Sequence, residues 1–229
     1  MKKHFFFDLD RTLWDFEKNS HSTLTELFNF FNLNSLGIST SDDFINKYKI
    51  HNERLWGLYR DDKISKNRLR SERFLLTLQD YGVNDSVLAN RIGLRYIEQS
   101  PLKTDLFSFT NEVLTYLKSK YTLHIITNGF QEVQHIKLKN SNIRHYFNTI
   151  TTSEQVGYKK PNKKIFLYAL NKANTNAKES VMIGDDIEAD IIGSEAVGMQ
   201  AIYFNPKKIL HNQSKVNEIN CLIQLKELF

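Results

Sequence analysis

The chain has 229 residues, 41% of them hydrophobic and 25% charged, with a formal net charge of +5. That length allows a sizeable core in one or two domains, and the balance excludes disordered and fibrous classes. The lysines are spread along the chain, which argues against a nucleic-acid partner, and no run approaches the roughly 18 apolar residues of a membrane span.

In chain order, Met1-Lys2-Lys3-His4 leads into only three phenylalanines, so no signal peptide is expected. The single cysteine, Cys221, excludes an internal disulfide framework and points to a reducing cytoplasm. Phe5 to Phe7 is short, aromatic and unalternating, which predicts a strand buried on both faces of a parallel sheet. It ends in Asp8-Leu9-Asp10-Arg11-Thr12. Two aspartates at a buried strand tip repel each other and lose hydration. A divalent cation that favours hard oxygen ligands, such as Mg²⁺, would compensate. A strand followed by a solvated polar turn is the other reading of this motif taken alone.

From about residue 15 to 95 the pattern is helical. Leu24, Leu27, Phe28 and Phe31 follow one helix face, and Phe44, Ile45 and Tyr48, then Leu55, Trp56 and Tyr59, predict one or two more helices. Ser65 caps a helix with Leu75 and Leu78 that stops at Gly82, and Asp85 caps one with Leu88, Ile92 and Tyr96. Most of these aromatics are expected in a core.

From about residue 105 strands alternate with helices. Strands are predicted at 122–126, 149–152, 180–183 and 200–204. The helices between them run over 112–120, then carry Val133, Ile136 and Leu138, then Ile165, Phe166, Ala169 and Leu170, and finally span 187–197. This alternation predicts a doubly wound parallel sheet, whose ligands bind beyond the carboxyl ends of the strands. The polar clusters sit at such ends. Thr127-Asn128-Gly129 offers neutral donors for phosphate oxygens, although it is also an ordinary turn. Lys160 before Pro161 offers a positive charge, or is a solvated lysine. Gly184-Asp185-Asp186 with Asp190 adds carboxylates, some of which are expected only to cap a helix, Asp190 being the foremost candidate for a supporting role.

Taken together and in this order, D-x-D-x-T, Thr-Asn, Lys and G-D-D with a following Asp resemble the motif series of the haloacid dehalogenase superfamily over nearly the full chain. The resemblance implies an α/β fold, a Rossmann-like parallel sheet formed by residues 1–14 and 100–229, with an inserted all-helical cap at 15–99. It implies that Asp8 is the nucleophile, forming an aspartyl-phosphate, and that Asp10 is the general acid and then the base. Mg²⁺ would be held by Asp8, the backbone carbonyl of Asp10 and Asp185, with Asp186 or Asp190 acting directly or through water. Thr127, Asn128 and Lys160 would hold the phosphoryl oxygens. Superfamily members that displace halide lack the second aspartate, so Asp10 points to phosphoryl transfer.

The opening from Phe7 to Glu17 and the run from Ser153 to Pro161 resemble more specifically the capped pyrimidine nucleotide 5′-nucleotidases. The expected partner is a small phosphorylated metabolite, a nucleotide such as dUMP, UMP or dTMP, for a cytoplasmic monomer or homodimer. Trp14 and Phe16 either stack a base or pack at a hinge. A phosphatase of phosphoglycolate or a sugar phosphate is the alternative, followed by a catalytically idle binding protein of the same fold.

Overall fold

The computed structural model describes residues 3–213 and 216–229. Met1 and Lys2, the first residues of the charged start, lie outside the described residues. The chain divides into two compact units, Met1–Phe16 with Thr104–Phe229, and Glu17–Lys103.

The first unit is an α/β domain. Its six strands are β1 (His4–Phe7), β2 (Thr122–Thr127), β3 (Phe147–Thr152), β4 (Ser180–Gly184), β5 (Gln200–Phe204) and β6 (Glu218–Ile219). They form one sheet in the order β3-β2-β1-β4-β5-β6, and every neighbouring pair is parallel. The three phenylalanines of β1 are fully buried on both faces. Phe5 and Phe7 pack with Leu123, Ile125 and Ile183, while Phe6 packs on the other side with Ile126, Phe166 and Met182. The edge strand β6 is the one strand the sequence does not announce, because two residues are too few to show a period. The sheet order puts the ends of β2, β1 and β4 side by side at its centre, where Thr127 closes β2 and Asp8 and Asp185 follow β1 and β4.

The second unit is helical, with α1 (Phe16–Phe30, entering from the first unit), α2 (Ser41–Arg60), α3 (Lys66–Gln79) and α4 (Ser86–Gln99). The residues from Phe44 to Tyr59 form a single helix, since no Pro or Gly interrupts them before Gly57. Side chains of Thr40, Ser65 and Asp85 accept from the backbone N–H groups of Asp43, Arg68 and Leu88, capping α2, α3 and α4. Leu24, Leu27, Phe44, Tyr48, Phe74, Leu78 and Ile92 build its core. No helix among the described residues is long and apolar enough to cross a membrane.

Candidate active site

Between the strands of the α/β unit run α5 (Thr110–Lys120), α6 (Gln131–Asn140), α7 (Ser153–Val156) and α8 (Lys163–Lys172). After β4 the chain makes a π-helical turn over Ile187–Ile192, followed by a short α9 (Gly193–Glu195), in place of the regular helix expected over 187–197. Such turns recur at functional sites because they re-aim side chains. Here the turn carries Asp190, which is 1% exposed and whose carboxylate sits beside Gly184. A Cβ on Gly184 would lie 2.2 Å from Asp190 Oδ2, so only glycine admits that carboxylate.

One carboxylate oxygen each from Asp8, Asp185 and Asp190 lie within 4.8 Å of one another. Lys160, itself buried, donates to Asp8 Oδ1 and to Asp190 Oδ1, both at 2.6 Å, and to the carbonyl of Ile126 at 3.0 Å. All three ammonium donors are therefore taken. Thr12 donates to Asp185 Oδ1 at 3.3 Å. The electrostatics are those of crowded, buried acid. Burial raises the Asp8 carboxyl to about 7 against the opposing pull of Lys160. Burial first, then the charge of Asp8, holds Asp185 well above the usual carboxylate range, and burial also raises Asp190. For Lys160 burial works to lower the pKa, but the charges of Asp190 and Asp8 outweigh it and the group stays protonated. Three carboxylates against one lysine, which bridges Asp8 and Asp190, suit a hard divalent cation.

The other anticipated residues are placed differently. Asp186 spends its carboxylate on the backbone N–H groups of Glu188 and Ala189, as a cap, while Asp190, expected only to support, joins the acid group. The Asn128 side chain donates to the carbonyl of Lys160 at 3.0 Å and accepts from its N–H at 2.8 Å, so it latches the loop that carries Lys160. The Lys160–Pro161 bond in that loop is cis. Thr127 Oγ1 accepts from Gly129 N–H and from Gln134 Nε2, at 3.1 and 2.7 Å. The Asp10 carboxylate is outside the acid group. Lys137 donates to its Oδ1 at 2.5 Å and Gln134 to its Oδ2 at 2.9 Å. Trp14 is fully buried, with Lys137 Nζ 3.9 Å from its ring centroid, so the option of Trp14 stacking on a base gives way to packing inside the α/β core.

Gln134 and Lys137 were missed. Of the apolar residues that mark this helix in the sequence, Ile136 is exposed, and the buried face is Gln134, Lys137 and Leu138. The available signal was the i, i+3, i+4 spacing of these three, obscured because two of them are polar.

A family model for haloacid dehalogenase-like hydrolases matches residues 5–204. The chain belongs to that family. YfnB of Bacillus subtilis, a HAD-hydrolase by name, is 29% identical over 202 residues, covering 87% of this chain and 83% of its own. The YfnB crystal structure, an orthorhombic form bound to magnesium, aligns with a TM-score of 0.89 at 26% identity, over 99% of this chain and 98% of that one. The pyrimidine 5′-nucleotidase YjjG of Escherichia coli is 30% identical over 201 residues, 87% of this chain and 84% of its own. The pyrimidine 5′-nucleotidase PynA of Streptococcus pneumoniae is 29% identical over 208 residues, 89% and 84% respectively. The six-stranded parallel sheet with its helical unit is the fold expected of a HAD hydrolase, and the chain is an enzyme of the phosphatase type within that family.

Proposed function

We propose that this HAD phosphatase is a Mg²⁺-dependent phosphomonoester hydrolase that works through an aspartyl-phosphate on Asp8, with pyrimidine nucleoside 5′-monophosphates as substrates. One observation carries the chemistry: Asp8 is fixed by Lys160 inside a group of three acids, while Asp10, two residues on, is held outside it by Lys137. In this reading Asp8, Asp185 and Asp190, with the Asp10 backbone carbonyl, hold the ion. When bound, Mg²⁺ supplies the charge neutralisation that lets an anionic carboxylate meet a phosphoryl dianion.

The protein's own groups then divide the reaction. An oxygen of Asp8 bonds to phosphorus as the bond to the leaving oxygen breaks, and protonated Asp10 gives its proton to that oxygen. Asp10 next takes a proton from the water that attacks phosphorus, which releases phosphate and restores Asp8. With its donors already taken, Lys160 aims the nucleophile and offsets charge. The Thr127 oxygen accepts two hydrogen bonds, which leaves its own hydrogen for a phosphoryl oxygen. The helical unit, residues 17–103, is assigned as the cap that selects the leaving group, and the cytoplasm as the enzyme's location.

The nucleotide assignment is supported by the similarity to YjjG and PynA. Its test is a panel of phosphomonoesters with the purified protein and Mg²⁺, followed by phosphate release. UMP, dUMP and dTMP should show the highest kcat/KM. A lead of about tenfold for phosphoglycolate or a hexose phosphate, about 1.4 kcal/mol in transition-state binding, would overturn the nucleotidase reading and leave the phosphatase.

A further inference from the structure

Helix α6 turns an amide and an ammonium into the core, where a sheet-packed helix ordinarily places apolar side chains. Gln134 is fully buried and Lys137 is 4% exposed. Burying such groups is unfavourable unless partners are supplied. Both find the same one. Lys137 Nζ donates to Asp10 Oδ1, Gln134 Nε2 donates to Asp10 Oδ2, and the same Nε2 reaches Thr127 Oγ1. The backbone has made room for this contact. A Cβ on Gly129 would lie 1.9 Å from Gln134 Nε2, so Gly129 is there for close approach, not for a turn with positive φ. The Trp14 ring covers Lys137 from another side.

We propose that Gln134 and Lys137 are positioning residues for Asp10, holding its carboxyl in place through both proton transfers. The proposal rests on the phosphatase reading, in which Asp10 must be an acid in the first step and a base in the second. Lys137 and Gln134 take one oxygen each, so the carboxyl cannot swing away between the two steps. An amide suits that second oxygen. Its NH₂ bridges Asp10 Oδ2 and Thr127 Oγ1, which ties the carboxyl to the tip of β2.

The test compares two substrates. One is the alkyl phosphomonoester that ranks first in the panel above, whose leaving alkoxide needs a proton. The other is p-nitrophenyl phosphate, whose leaving group departs without one. Lys137→Met and Gln134→Leu should lower the rate of aspartyl-phosphate formation, read by rapid quench, by about tenfold to a hundredfold with the alkyl ester, the scale of a misplaced catalytic group, and much less with the aryl ester, while hydrolysis of the common intermediate slows alike for both. KM should hold, Lys137→Arg should recover part of the loss, and neither substitution should slow Asp10→Asn further. Gly129→Ala should mimic Gln134→Leu by pushing the amide aside. If Lys137→Met does not fold, Lys137→Gln and Gln134→Leu are judged by the same criteria. Equal losses in the formation rate on both esters, a loss seen in KM alone, or losses additive with Asp10→Asn would overturn the proposal. Asp10→Asn separates the two levels. If it fails to slow the alkyl ester selectively, the acid role and the reading beneath it fall. If it does so while the α6 variants do not, only the positioning role falls.

Discussion

Lys160 in the α/β unit and Arg73 in the helical unit are buried almost equally, at 2% and 3% exposure, in unlike surroundings. Lys160 is met by two carboxylates and a carbonyl. Arg73 donates to the side-chain oxygen of Asn52 at 2.9 Å and lies 4.8, 5.3 and 5.7 Å from the ring centroids of Tyr96, Phe74 and Tyr48. Among the described residues no carboxylate pairs with it, and its Nε is buried without a partner. Aromatic faces can hold a cation without adding a titratable group. The α/β unit instead buries several acids around its cation, and burial above all raises Asp8, Asp185 and Asp190, a pattern that makes sense where charge is to be used. The difference separates a site from a scaffold.

The sharpest way to break that separation is Lys160→Met against Arg73→Met. The first leaves three acids without their common cation and removes the group that aims Asp8, so kcat should fall by about 10³, as for loss of a key electrostatic donor. The second should leave kcat within about threefold, as expected of a residue whose partners all lie within the core of its own unit. Comparable losses measured by phosphate release would show that the helical unit shares in the chemistry.

Stability measurements in chelator should show the opposite sign at the acid group. The Asp8 carboxyl moves from 3.8 to about 7 on folding, so its destabilising contribution grows as pH rises through that window and is complete above it. In EDTA above neutral pH, Asp8→Asn should therefore raise stability, by at most about 4 kcal/mol at about 1.4 kcal/mol per pH unit. Added Mg²⁺ should stabilise the wild type more than the variant. Denaturant titrations that show Asp8→Asn weakened in EDTA would contradict the crowding argument.

His124 tests burial without the acids. It lies 1% exposed on β2, its ring within hydrogen-bond distance of His4 and Thr149, and burial, then the neighbouring His4, lowers it from 6.5 to about 3. The unfolded chain takes up a proton that the folded ring refuses, so this stability is whole above pH 6.5 and is lost as pH falls toward 3. Between about pH 7 and pH 5 the wild type should lose about 2 kcal/mol relative to His124→Phe. A pH-independent difference would mean that His124 is not held neutral. The smallest effect should be on the stability of Arg73→Met, within about 1–2 kcal/mol of the wild type, because a buried cation and a well-packed apolar residue of similar size are often near balance.

Much of the α/β unit was legible because its strands are short apolar runs followed directly by polar tips, as at Phe7-Asp8, Thr127-Asn128 and Gly184-Asp185. Caps at Ser65 and Asp85 were legible for the same local reason. What the sequence concealed depends on non-local geometry. Asp190 enters the acid group beside a π-helical turn that regular helical spacing does not anticipate. Asn128 looks like a phosphate ligand until the Lys160 loop, 32 residues on, is seen to occupy both ends of its amide. Gln134 and Lys137 carry no local signal because their partner, Asp10, is more than 120 residues away.

The account turns on Asp8 becoming covalently phosphorylated, and the most direct measurement is a rapid acid quench of the enzyme turning over a phosphomonoester with Mg²⁺, followed by peptide mass spectrometry. The phosphoryl group should appear on the peptide containing Asp8, accumulate in Asp10→Asn where its hydrolysis is slowed, and be absent from Asp8→Asn, which should also release no phosphate. Sustained phosphate release by Asp8→Asn, or a phosphoryl group trapped on another residue, would contradict it.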